Sequence, residues 1–270
     1  MASITFQKMV ASGNDFIVID NRKGVIRDPR AFSADVCRPH VRIGADGVLL
    51  IEPSKYSDFF LRIFNADGSE AEACGNGFRC VGLYAHRRLG FTKVMRIETL
   101  SGEVEVAVKE NMIRVKMADP KDYREPVVLA GLAAPITASF INTGVPHAVI
   151  FTDNVSSTPV HELGRAIRYH ELFQPNGTNV DFVEVGGQNS ISVRTYERGV
   201  EAETLSCGTG ATAGAVVAHL TKRVSVPVKV KTKSGEVLHV DLENTNGKIR
   251  NVYLEGGAEF VFEGRIGEWN

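Results

Sequence analysis

The sequence predicts an α+β fold built as two related halves, and three observations lead there. Strand-like segments outnumber helical ones, and they flank the helices without alternating strictly with them. Two Cys-Gly-x-Gly turns, Cys74-Gly75-Asn76-Gly77 and Cys207-Gly208-Thr209-Gly210, stand 133 positions apart (207 − 74), about half of the 270 residues. Other segments recur at the same offset in the same order, which is the mark of internal repetition. Ala85-His86 matches Ala218-His219, and Ser101-Gly102-Glu103-Val104 matches Ser234-Gly235-Glu236-Val237. Gly13-Asn14 and Gly144–His147, and likewise Gly44–Gly47 and Asn179–Phe182, correspond more loosely, as loop insertions would cause.

In chain order, β-branched or alternating apolar patterns predict strands at 17–20, 47–52, 59–65, 95–99, 103–109 and 112–117 in the first half. The second half repeats them at 148–151, 179–185, 190–195, 227–231, 237–242 and 249–254. Helices are predicted at 77–88 and 210–222, each following its cysteine turn, and shorter ones at 30–37 and 159–168. Ala118-Asp119-Pro120-Lys121-Asp122 breaks the pattern and places the domain boundary. The halves are therefore 1–118 and 119–261. The alternating stretch at 260–266 follows Gly256-Gly257, and 262–270 is expected to cross back and complete the first half's sheet.

Composition narrows the function. With 43% hydrophobic and 23% charged residues the chain has ordinary globular composition. A net charge of −1 without basic clusters argues against nucleic acid, and no apolar run reaches the ~20 residues of a membrane helix. The amino-terminal residues show no signal-peptide core, so a cytoplasmic protein with reduced thiols is expected. Cys37 and Cys80 lack zinc-site spacing and read as small buried hydrophobes. No metal site, phosphate loop or nicotinamide fingerprint is evident.

The chemistry then centres on Cys74 and Cys207. A helix beginning just after each turn directs free amides and its positive dipole end toward the thiol. That arrangement is expected to stabilise a thiolate and to bind an anion such as a carboxylate. Two thiols facing one small ligand suit inversion of a stereocentre: one removes a proton, the other delivers one to the opposite face. A thiol redox switch is the competing reading, although no Cys-x-x-Cys is present.

Phe64–Glu70 leading into Cys74-Gly75-Asn76-Gly77-Phe78-Arg79-Cys80 resembles the first signature of the diaminopimelate epimerases. Tyr196-Glu197-Arg198-Gly199, Glu203-Thr204 and Cys207-Gly208-Thr209-Gly210-Ala211 resemble the second, and Gly13–Phe16 and Asn179-Val180-Asp181 fit as well. The resemblance spans essentially the whole chain. It implies two pseudo-symmetric domains, each a mixed sheet wrapped round a central helix, with the active site in the cleft between them. It implies conversion of LL- to meso-diaminopimelate without pyridoxal phosphate or other cofactor, on the route to lysine and cell-wall precursors, and it leaves room for a homodimer. Cys74 and Cys207 then match the acid/base thiols, and His147 and Glu197 match residues that tune them. Asn14, Asn65, Asn179, Glu197 and Arg198 match substrate-binding residues, and Gly75-Asn76 and Gly208-Thr209 match the holders of the reacting carboxylate. Two positions depart from the pattern: Gly47 stands where many members have Gln, and Val145 where they have Asn. A related cofactor-independent racemase of the proline or histidine type is the alternative.

Overall fold

Apolar strands separated by glycine turns have to find partners on both edges, and here they find them in two units that use the same plan. The computed structural model describes residues 3–132, 134–267 and 269. The chain divides into one unit of Met1–Val115 with Gly256–Asn270, and a second of Lys116–Glu255.

In the first unit β1 (Ile4–Ala11) lies antiparallel to both β2 (Asn14–Asp20) and β18 (Glu259–Ile266). The crossover through α1 (Pro29–Val36) sets β3 (Gly47–Glu52) parallel to β2. Next, β4 (Phe59–Asn65) returns antiparallel to β3 and pairs with the two-residue β5 (Glu70–Ala71). A second crossover through α2 (Gly75–Leu89) sets β6 (Val94–Thr99) parallel to β4, and β7 (Gly102–Lys109) and β8 (Met112–Lys116) complete a meander.

The second unit repeats these pairings. β9 (Lys121–Leu129), β10 (Ile136–Asn142) and β11 (Pro146–Phe151) are antiparallel neighbours. α3 (Val160–Arg168) crosses over to β12 (Asn179–Gly187), parallel to β11. β13 (Ser190–Glu197) returns antiparallel and pairs with the two-residue β14 (Ala202–Glu203). α4 (Gly208–Leu220) then crosses to β15 (Val228–Lys231), parallel to β13, before the hairpin of β16 (Val237–Thr245) and β17 (Lys248–Gly257). The fold is thus α+β with mixed pairing.

Each unit packs around its second helix. α2 touches β1, β2, β3 and β7, and all but the last turns of it are buried. α4 touches β10–β13, β15 and β16. Its alanines let those strands approach, and Ala211, Ala213, Ala215 and Ala218 all lie in one core cluster with Val183, Ile191 and Leu254. Among the described residues no helix is long and apolar enough to cross a membrane.

Besides the two-residue β5 and β14, three longer strands escape the sequence pattern. β1 is flanked on both edges, and its Gln7 and Lys8 are buried. Gln7 donates to the Phe262 carbonyl at 2.6 Å and Lys8 pairs with Asp15 at 2.7 Å, so residues that read as polar are interior. β9 starts inside the expected break, carries Pro126 and is mostly exposed, as an edge strand tolerates. β10 is short, with Ser139 and Asn142 diluting its apolar pattern.

A close approach in α3 supplies a stability test. A Cβ at Gly164 would lie 2.5 Å from Tyr196 Cβ and 2.7 Å from its Cγ. Tyr196 is fully buried, and those atoms cannot rotate away. Gly164→Ala gains about 1 kcal/mol of helix propensity but overpacks the core by about 3 kcal/mol. A net loss near ~2 kcal/mol is expected in chemical denaturation, and an unchanged midpoint would contradict this packing.

Candidate active site

Strand direction collects the site residues at one end of each sheet. In the first unit β2 and β3 start where the antiparallel β4 ends, so Asn14 opens β2, Gly47 opens β3 and Asn65 closes β4. Gly47 is the register partner of both Phe16 and Asn65. In the second unit His147 sits opposite Asn179, which opens β12, and Val180 sits opposite Tyr196, so Glu197 closes β13 at the same end. Both cysteine turns follow just after these strand ends.

The short strands before the turns are held alike. Arg62 on β4 grips Glu70 on β5 through Nε at 2.7 Å and a terminal nitrogen at 2.9 Å. Arg194 on β13 grips Glu203 on β14 at 2.6 and 2.9 Å. Such two-point pairs fix orientation as well as distance, and each lies a few residues before its cysteine.

The cysteines are helix N-caps with extended backbones. Cys74 Sγ accepts the Gly77 amide at 3.4 Å, and Cys207 Sγ accepts the Gly210 amide at 3.4 Å. Position 210 must be glycine, because a Cβ there would collide with Asp181 Oδ1 and lie 2.8 Å from Thr195 Oγ1. Both thiols are half-buried, whereas Cys37 and Cys80 are buried, and burial pushes Cys37 up to about 12.

In the first unit an oriented hydrogen-bond chain runs from a cation to an anion. The fully buried Arg79 donates to Asn76 Oδ1 at 2.7 Å, and also to Ser12 Oγ and to the Gly257 carbonyl at 2.8 Å. Arginine only donates, so Asn76 must turn its amide nitrogen to Asn14 Oδ1, at 2.7 Å. Asn14 in turn donates to Asp46 Oδ2 at 2.8 Å. Arg79 therefore decides which way two candidate substrate-binding amides face. Asn65 is exposed and donates to Ser69 at 2.9 Å instead of joining this chain. Arg79→Lys keeps the charge but lacks the fork needed to reach Asn76, Ser12 and Gly257 together. A stability loss of about 3 kcal/mol with a raised KM is expected, and wild-type values in both would refute the chain's role.

The second unit holds a denser cluster. Glu197 accepts from Thr204 at 2.5 Å and its carboxyl hydrogen-bonds the Cys207 thiol. Burial raises the Glu197 carboxyl, the Asp181 charge adds to this, and the bonds from Thr204 and Cys207 and the nearby His147 oppose it. Cys207 also contacts Thr209 Oγ1 at 3.4 Å. Burial raises its thiol well above the ordinary range, reinforced by the Glu197 and Asp181 charges and only partly offset by Thr209 and the Gly210 amide. This corrects the expectation from the helix start: the dipole end is present, but desolvation and two carboxylates outweigh it, so Cys207 rests as a thiol. Asn179 donates to the Pro146 carbonyl at 3.0 Å and accepts the Arg198 amide at 2.8 Å. The Arg198 guanidinium reaches the Asn176 carbonyl at 3.2 Å. Gly208 and Thr209 form the first turn of α4, and the Thr209 carbonyl accepts from Thr143 at 3.0 Å.

Arg79, Asp46, Asp181 and Thr195 were not among the candidates read from sequence. The available signal was weak: Asp181 is a lone acid in the apolar run Val180–Val183, two residues from Asn179 and hence on the same face of the strand. Of the two departures, a Cβ at Gly47 would lie 2.5 Å from the Phe64 carbonyl oxygen, so this backbone admits no side chain there without shifting. Val145 is half-buried, and its carbonyl accepts the Thr143 amide at 3.1 Å. Among the described residues no group of three or more His, Cys, Asp or Glu could hold a metal ion.

Known proteins match this arrangement along nearly the whole chain. The family model described as diaminopimelate epimerase matches residues 6–122 and 139–261. A diaminopimelate epimerase of Aquifex aeolicus is 45% identical over 277 residues, covering 97% of this chain and 98% of that protein. One of Archaeoglobus fulgidus is 43% identical, covering 97% and 95%. Among solved structures, a Bacillus anthracis phenazine biosynthesis protein of the PhzF family superposes with a TM-score of 0.74 at 15% identity, over 99% of this chain and 100% of that one. A hydroxyproline epimerase from Agrobacterium vitis gives 0.71 at 17% identity, over 98% and 91%. The distant structures share the fold, while the close sequence relatives and the family model decide membership: the chain belongs to the diaminopimelate epimerase family.

Proposed function

We propose that the protein epimerises LL-diaminopimelate to meso-diaminopimelate by a two-base mechanism in which each half contributes one thiol. The observation that carries this reading is the duplicated cap: two half-buried cysteines, each at a helix N-terminus and each accepting an amide at 3.4 Å. A thiolate takes the α-proton from one face of the substrate carbon. The opposing thiol gives its proton to the other face, and the two sulfurs exchange protonation states. Cys207, resting as a thiol, serves as the acid when Cys74 acts as the base, and the reverse reaction exchanges these roles. The carbanion between the steps places charge on the α-carboxylate, which preorganised amides of the Gly75-Asn76 and Gly208-Thr209 turns stabilise.

The rest of the site supports the assignment of the substrate. Asn14 and Asn76 offer neutral amides whose orientation Arg79 settles. Asn65 and Asn179 supply further amides, Arg198 suits a distal carboxylate, and Glu197 accepts from the Cys207 thiol. A reaction on a free amino acid of this kind belongs in the cytoplasm.

The test is incubation of reduced protein with LL-diaminopimelate in deuterated water. Formation of the meso isomer with one deuterium at the inverted carbon is expected. Inversion of proline or histidine in its place would favour the alternative racemase reading, and absence of deuterium uptake into diaminopimelate would sink the substrate assignment.

A further inference from the structure

Arg198 sits on the turn between β13 and β14, and a carboxylate on the same turn governs its shape. Glu201 has a backbone φ of +57°, a region that glycine enters freely and other residues rarely. A residue in that region persists only where its surroundings hold it, and here its own side chain supplies the hold. Glu201 Oε1 accepts the Gly199 amide at 3.0 Å and Arg168 Nε at 3.1 Å, while the Glu201 amide donates to the Glu197 carbonyl at 2.8 Å. The Tyr196 hydroxyl approaches Oε2 at 3.5 Å. Burial pushes the Glu201 carboxyl up, but the Gly199 amide, the Tyr169 side chain and the Arg168 charge outweigh it and hold the carboxyl below its usual range.

Arg168, the last residue of α3, is the other half of the clamp. Its side chain is 13% exposed and lies flush on Gly177, where a Cβ would collide with Nη1. Asn176, next to Gly177, offers the carbonyl that accepts from Arg198 Nη1 at 3.2 Å. One guanidinium thus braces both the turn that carries the Arg198 backbone and the loop that holds the Arg198 head. The Arg198 amide is fixed as well, by Asn179 Oδ1 at 2.8 Å. Among the described residues Arg198 makes no bond through Nε or Nη2, so one edge of its fork stays open for a carboxylate gripped at two points. We propose that Glu201 and Arg168 are positioning residues that hold this edge of Arg198 ready for the distal carboxylate of a dicarboxylic amino acid. Neither residue needs to touch the substrate. Ordering a long side chain beforehand removes an entropy loss that binding would otherwise carry. This inference rests on the reading of Arg198 as a carboxylate holder for its purpose, though not for its geometry.

Nitrogen-15 relaxation of the arginine side chains tests the geometry without substrate, with the Arg198 Nε–H assigned by its loss in Arg198→Lys. In the wild type that group is expected to be as ordered as the backbone on the picosecond–nanosecond timescale. Glu201→Gly suits the positive φ, so the turn still forms, and Arg198 is expected to become mobile. In that variant KM for diaminopimelate should rise about 10-fold, with kcat within about threefold. Arg168→Met should do the same, and the double variant should add little to either single change. An Arg198 that is already mobile in the wild type would overturn the proposal, and that measurement stands even where Glu201→Gly does not fold. So would a Glu201→Gly protein whose Arg198 order or KM is unchanged, or fully additive losses in the double variant. An Arg198 loosened by Glu201→Gly, in a wild type that does not turn over diaminopimelate, would support the clamp and overturn the substrate reading.

Discussion

Cys207→Ala and Cys74→Ala are each expected to lower epimerisation by about 10³-fold or more, because general acid and general base catalysis are each worth about 10²–10⁴. The two losses should differ in kind. An enzyme that keeps one base can still remove an α-proton and return a solvent deuteron to the same face. Isotope exchange without inversion is therefore expected to outlast epimerisation in one direction of each variant. The substitution also removes the sulfur that accepts the Gly77 or Gly210 amide. Losing a cap costs about 0.5–2 kcal/mol, and sulfur is a weak acceptor, so both variants should fold. Serine variants sharpen the test. A hydroxyl is a better cap and a far weaker acid than a thiol, so Cys207→Ser should match or exceed wild-type stability and remain inactive. Full turnover by any of the four variants would refute the two-base scheme.

Glu197→Gln is expected to lower activity by about 10²-fold while raising stability at neutral pH, and the opposite signs have one cause. Burial raises the Glu197 carboxyl, so the folded protein holds that proton to higher pH than the unfolded chain does. Stability from this group is complete below the ordinary carboxylate range and is lost as pH rises through the folded value. Glutamine has no such loss, so its advantage over wild type should widen between acid and neutral pH in chemical denaturation. Removing the Glu197 charge also removes one of the influences that raise Cys207. The Cys207 thiol should then titrate at lower pH in the variant, visible as faster alkylation at a given pH. A variant that is less stable than wild type at neutral pH, with unchanged alkylation, would show that Glu197 is not coupled to Cys207 as described.

Legibility of the fold from sequence followed how local each signal is. α2 and α4 are readable because a glycine turn and a small-residue run lie inside each segment. Both helices begin directly after their cysteine, at Gly75 and Gly208. β3 and β4 are readable from their own apolar residues. β1 is not, because what buries Gln7 and Lys8 is Phe262 and Asp15, brought in by other strands. β9 is masked by its exposure as an edge strand. In the candidate site the cysteines, Asn14, Asn76, Asn179 and Glu197 stand out through repetition and motif. Arg79 and Asp181 read as ordinary charges until their buried acceptors and donors are seen.

The sequence by itself determined that two cysteines open matching glycine turns half a chain apart, that helices follow them, and that the segments around them repeat. Those properties depend on neighbours along the chain, and chain neighbours are legible. Only the tertiary structure decided that Cys207 rests as a thiol, that Arg79 orients Asn76 and Asn14, and that Asp181, itself bonded by Thr195, holds one side of His147. Each of these depends on desolvation and on charges a few ångströms away through space. His147 and Asp181 are 34 residues apart in the chain and 2.7 Å apart in the fold. A helix start alone argues for a thiolate at Cys207, and desolvation, reinforced by the carboxylates folded against it, reverses that balance.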